Sequence, residues 1–144
     1  MKILQLCNRV PYPLIDGGAI AMFAMTKSLS DAGCEVHMLA INTKKHFVEI
    51  DELPEWFNAK VKLHTVDANT DVTPHGAILN LFSTKSYNLV RFDIPEFHKK
   101  LAQLLTEHKY DVVQLEGLFL SMYIATIRKH STALVSMRGH NVEY

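Results

Sequence analysis

The 144-residue chain lacks an excess of either charge: fifteen Lys and Arg balance fifteen Asp and Glu. That balance removes the general electrostatic case for nucleic acid, whose phosphates attract a basic excess or a basic stripe. Cysteine is equally scarce. Cys7 and Cys34 are the only two, and without metal-ligand spacing they read as buried, reduced thiols of a cytoplasmic protein. No apolar run reaches the ~20 residues of a membrane span, and Met1-Lys2-Ile3 leads into a strand, not a signal peptide. There is no G-x-x-x-x-G-K-[ST] loop, and Gly17-Gly18 stands about ten residues beyond the first strand, too far for a G-x-G-x-x-G dinucleotide turn. His37, His46, His64, His75, His98, His108 and His130 form no H-x-x-x-H pair, so no metal site is expected. The missing G-x-S-x-G elbow leaves Ser-His-Asp chemistry without support.

What is present is a globular composition, 48% hydrophobic and 21% charged, sufficient for the core of one domain over residues 1–144. Strand and helix patterns alternate. Strands are expected at 3–7, 35–41, 61–66, 111–115 and 133–137. The first helix starts at an Asp16 N-cap and ends near Ala32, with Gly33 at C′ and Ala21, Met25, Ser28, Leu29 and Ala32 on one face. A short helix is expected around Pro54, another over 74–82, and a longer one capped by Asp93 with Pro95 and Glu96 in its first turn. Its inner stripe is Phe97, Leu101, Leu104, Leu105 and His108, and a last helix covers 118–130. The stretch 83–92 gives little signal.

This alternation predicts an α/β fold: a three-layer, Rossmann-like open parallel sheet with helices on both faces. Right-handed crossovers then gather the carboxyl ends of the strands on one edge, where such sheets bind ligands. Three segments meet there. Asp16, Gly17 and Gly18 bring unpaired helix amides suited to an anion or a sugar. Glu116, before Gly117, offers a carboxylate to a sugar hydroxyl or to Arg138. Arg138, His140 and Asn141 follow the fifth strand, with a guanidinium fork for phosphate or carboxylate and a ring that titrates near neutrality. The alternation stops at Val142-Glu143-Tyr144, just past a strand, so the chain is expected to be one piece of a longer protein.

Assembled in order, these pieces resemble the amino-terminal half of a GT-B glycosyltransferase of the large retaining family four. The matching stretches are Lys2-Ile3-Leu4-Gln5-Leu6, Pro11-Tyr12-Pro13 with Asp16-Gly17-Gly18, and Thr26-Lys27-Ser28-Leu29 before Ala32-Gly33. Tyr110-Asp111-Val112-Val113-Gln114-Leu115-Glu116 and Arg138-Gly139-His140-Asn141-Val142-Glu143 complete the set. The resemblance implies a nucleotide-sugar donor held by a carboxyl-terminal domain outside this chain, and a sugar or lipid-linked acceptor on this one. It implies no metal and no other cofactor, a cytoplasmic location with peripheral membrane contact allowed, and a catalytic position for His140. Glu116 departs from the pattern, since many relatives carry histidine there. It also implies that the chain alone is inactive. The competing expectation is a free-standing ligand-binding or receiver-type module. A receiver needs acidic groups after the first strand and an aspartate after the third, which Asn8-Arg9 and Asp67-Ala68-Asn69 supply poorly.

Overall fold

The computed structural model describes residues 1–69 and 92–139. The chain runs β1 (Lys2–Cys7), α1 (Gly17–Asp31), β2 (Glu35–Thr43), two single 3-10 turns (Lys44–His46 and Ile50–Glu52), α2 (Glu55–Lys60) and β3 (Val61–Ala68). After the next described residues come α3 (Pro95–Glu107), β4 (Val112–Glu116), a 3-10 segment (Leu118–Tyr123), α4 (Ile124–His130) and β5 (Leu134–Arg138). The strands form one sheet in the order β3-β2-β1-β4-β5, every pair parallel. The expected Rossmann-like α/β architecture is present.

Side-chain alternation divides the core into two layers. Leu4, Leu6, Leu39, Ile41, Val113 and Leu115 meet Phe97, Leu101, Leu104, Tyr123 and Ile127 of the α3–α4 side. Cys7, Val36, Met38, Ala40 and Val61 meet Met22 of α1 and Phe57 of α2 on the other. Phe23 stacks on Phe57 with ring centres 5.7 Å apart and takes the edge of Trp56 at 5.1 Å. The central strand β1 is buried on both faces, as an apolar run flanked by two parallel neighbours requires.

Several local expectations shift. The buried stripe of α1 is Ala19, Met22 and Thr26, not the face of Ala21, Met25, Ser28 and Ala32. Gly33, at φ 80°, does end that helix, and the Cys34 N–H returns to the Leu29 carbonyl at 3.1 Å. The helix expected near Pro54 is a 3-10 turn before it and α2 after it. Asp93 does not cap α3. Ile94 holds that position without a side-chain bond, and the Asp93 carboxylate instead takes His98 Nε2 at 2.9 Å. Segment 118–130 begins as a 3-10 helix and becomes α-helical only at Ile124. The helix expected over 74–82 and the stretch 83–91 lie outside the described residues.

Candidate functional site

The topology places the reversal of strand order at β1, flanked by β2 on one side and β4 on the other. The carboxyl end of β1 is therefore the switch point of the sheet, where open parallel sheets bind ligands between chain segments that depart to opposite faces. Three loops border it: residues 8–16 after β1, Gly117 after β4, and Gly139 after β5.

The loop after β1 is closed by short backbone bonds, Tyr12 N–H to the Val10 carbonyl and Ile15 N–H to the Pro13 carbonyl, both 2.9 Å, and the Tyr12–Pro13 peptide is cis. It delivers Asp16 to the start of α1, where its carboxylate accepts the Ala19 N–H at 2.9 Å. The same oxygen accepts from the Arg9 guanidinium. That bond, reinforced by the helix amides, holds the Asp16 carboxyl down at about 2. A Cβ on Gly18 would stand 3.3 Å from Asp16 Oδ1 and 3.4 Å from Arg9 Nη2, whereas Gly17 faces open space. Gly18 thus makes room for the Arg9–Asp16 pair, and the first-turn amides already serve the chain's own carboxylate. A hydroxyl-bearing ligand meets less resistance here than a second anion.

Across the switch point, β4 and β5 lie in register so that Glu116 faces Arg138. The carboxylate is fully buried and receives Arg138 Nε at 2.8 Å on one oxygen. Arg138 Nη2 is 2.7 Å from that oxygen but off its N–H direction, so it counts as ion-pair proximity without a second hydrogen bond. The other oxygen receives Gln5 Nε2 at 2.9 Å and Gln114 Nε2 at 2.6 Å. Gln5 is set in turn by Thr26 of α1, whose hydroxyl lies 2.8 Å from the Gln5 amide oxygen and 2.9 Å from the Met22 carbonyl. One hydroxyl proton serves one of those acceptors at a time, but either way the Gln5 amide must turn its NH₂ toward Glu116. The result is a polar chain from helix α1 through the centre of the sheet to its rim. Cys7 pairs with Glu116 in the β1–β4 register, and burial together with that carboxylate pushes its thiol well up. Gly117, at φ 111°, turns the chain sharply out of β4, a conformation only glycine adopts without strain.

Of the residues expected at the site, Asp16, Gly17 and Gly18 border the switch point on one side, and Glu116 with Arg138 on the other. His140 and Asn141 lie outside the described residues. The sequence reading missed Arg9, Gln5, Thr26 and Gln114. The signal for the two glutamines was available: each is a polar residue inside a central strand whose other residues are mostly apolar, where both faces of the sheet are covered. A shallow depression of about 320 Å³ lies farther along the same edge, bordered by Asn42, Lys44, Phe47, Asp67, Ala68 and Asn69 at the ends of β2 and β3. Among the described residues no group of His, Cys, Asp and Glu could hold a metal ion, and no helix is long and apolar enough to cross a membrane. No family model, no curated protein and no solved structure matches the chain.

Proposed function

We propose that the chain is the amino-terminal, acceptor-side domain of a retaining GT-B glycosyltransferase, moving a sugar from a nucleotide-sugar donor to an acceptor hydroxyl. The observation that carries the reading is the reversal of strand order at β1, with the buried Glu116–Arg138 pair on one side of it and the Asp16-capped start of α1 on the other. The ordered resemblance of the flanking motifs supports it. In this reading the donor diphosphate sits mainly on a carboxyl-terminal domain beyond this chain, and residues 1–144 alone transfer nothing.

Each side has a chemical task. The chain of Thr26, Gln5 and Gln114 fixes Glu116, and Glu116 fixes the Arg138 guanidinium at the rim, where its remaining N–H groups can meet sugar hydroxyls or a departing phosphate oxygen. Gly17, with open space at its α-carbon, lets a sugar ring approach the backbone. His140, to which the resemblance gives a catalytic role, comes after Arg138-Gly139 in the sequence. Such transfer needs positioning and charge stabilisation, which these donors supply without a metal or other cofactor. Nucleic acid is not a partner in this reading. Cytoplasmic residence fits a soluble nucleotide sugar, and the exposed Leu14, Ile15 and Ile20 beside the first loop suit peripheral contact with a membrane bearing a lipid-linked acceptor.

The test is a screen of the full-length protein against nucleotide sugars and candidate acceptors, reading nucleoside diphosphate release and the anomeric configuration of the product. Transfer with retention supports the reading. Failure of the full-length protein to bind or turn over any nucleotide sugar returns the domain to a ligand-binding module.

A further inference from the structure

At the amino-terminal end of the sheet, opposite the switch point, three histidines and a tyrosine pack together between β2, β3 and the end of α3. His37 on β2 is fully buried; its Nδ1 is 2.8 Å from the Tyr110 hydroxyl and its Nε2 is 3.1 Å from Glu35. The His108 ring, at the carboxyl cap of α3, meets His37 edge to face at 4.9 Å. His64 on β3 stands 6.0 Å from His37, and its Nε2 is buried with no hydrogen-bond partner among the described residues.

The histidines differ in what a proton would do. His37 has an acceptor beside each nitrogen, Glu35 and the Tyr110 oxygen, so its cation would be solvated by the protein. His64 has none at Nε2, and a proton there creates a buried N–H with nowhere to donate. The charges facing it make this worse. Lys100 on α3, His108 at its carboxyl cap and Lys62 on β3 repel a cation at His64, and Glu107 of α3 attracts it. Lys2 and Lys62 likewise oppose a cation at His37, and both already sit on Glu35 at 3.2 and 3.3 Å. Burial is the leading cause that lowers both rings below the ordinary histidine value. Most of the repulsion on His64 therefore comes from the helix laid over it.

We propose that this nest is an acid-sensitive latch: protonation of His64 parts the carboxyl-terminal turn of α3 from β2 and β3 while the rest of the sheet stays folded. The latch closes when the rings are neutral and opens below the ordinary histidine range. The Asp111 N–H stays on the Lys2 carbonyl at 2.9 Å, so release ends before β4 begins at Val112. The device is independent of the proposed reaction.

Hydrogen exchange of the whole protein tests it, with rates corrected for intrinsic pH dependence. Between about pH 7.5 and pH 5.5, amides of residues 104–108 should lose protection on the order of tenfold, while those of β1 and β4 keep theirs. His64→Phe and His64→Gln should abolish that loss. Uniform loss over all strands, or the same local loss in both variants, would overturn the latch. An NMR titration of the wild-type rings stands beside the variants: His64 titrating at or above the value of a free histidine also overturns it, whether or not either variant folds.

Discussion

At the scale of single residues, the sheet rim is governed by what a buried carboxylate demands. Glu116 draws donors from three strands, the Arg138 guanidinium among them. Arg138→Ala should cost about 3 kcal/mol in urea unfolding, because it takes a cation from a buried carboxylate. Glu116→Gln should cost less, since the amide keeps an acceptor and leaves the half-exposed guanidinium to water. The double variant should recover part of the Arg138→Ala loss; additive costs would show that the two groups do not act as a pair. Asp16 makes a different kind of prediction. Its folded-state carboxyl is lowered from 3.8 to about 2, so its contribution is complete above about pH 4 and is lost as pH falls through 2. Asp16→Asn keeps the cap but not the Arg9 attraction, and should flatten the acid limb of a Tm-against-pH curve between those values. Asp16→Ala should remove about 1 kcal/mol at neutral pH, as loss of a cap does.

At the scale of elements, legibility followed whether one force dominated. The strands and the α3 stripe were readable because apolar residues recur at a single period, and Phe97, Leu101, Leu104 and Leu105 are all buried. Helix α1 was not, since Ala19 to Met25 is apolar on every side and its phase is chosen by a partner distant in sequence. Thr26 turns inward to reach Gln5, and Ser28 faces out. Asp93 does not cap because capping competes with any better-placed partner, and the His98 ring supplies one. The Asp93–His98–Thr126 chain, with 2.9 and 2.7 Å links, joins the start of α3 to α4 in place of a cap. A second joint is Tyr123, whose buried hydroxyl accepts the Ile94 N–H at 3.2 Å and donates to the Phe92 carbonyl. Burial raises that phenol to about 12, so it stays a donor at any ordinary pH. Tyr123→Phe keeps the ring packing on Phe97 yet removes the buried bonds to Ile94 and Phe92, and should cost about 2 kcal/mol by thermal unfolding. A cost under about 0.5 kcal/mol would mean that water reaches both groups.

At the scale of the whole molecule, the open parallel sheet follows from the alternation of strands and helices, and so was legible before any side-chain contact. The pairing across β4 and β5 was legible only as one of two alternatives, a sugar hydroxyl or Arg138 for Glu116, because register is a long-range property; the register puts Arg138 there. The two edges of the sheet also differ in a way that composition conceals. β3 carries Lys62, His64, Thr65 and Asp67 along its length, the charged and polar dressing that keeps an edge from pairing. β5 carries Leu134 and Met137 on opposite faces, 66% and 50% exposed, with no charge before Arg138. Among the described residues no strand pairs with that edge of β5, and a parallel edge with apolar residues on both faces invites another backbone. Residues 1–144 expressed alone should therefore self-associate at concentrations where the fold itself is intact. Leu134→Lys with Met137→Lys should restore a monomer in sedimentation velocity while changing unfolding stability by no more than about 0.5 kcal/mol, since both side chains already lie in water. If the double variant associates as strongly as the parent, the sticky surface lies elsewhere, and the exposed Leu14, Ile15 and Ile20 beside the switch point become the next residues to charge.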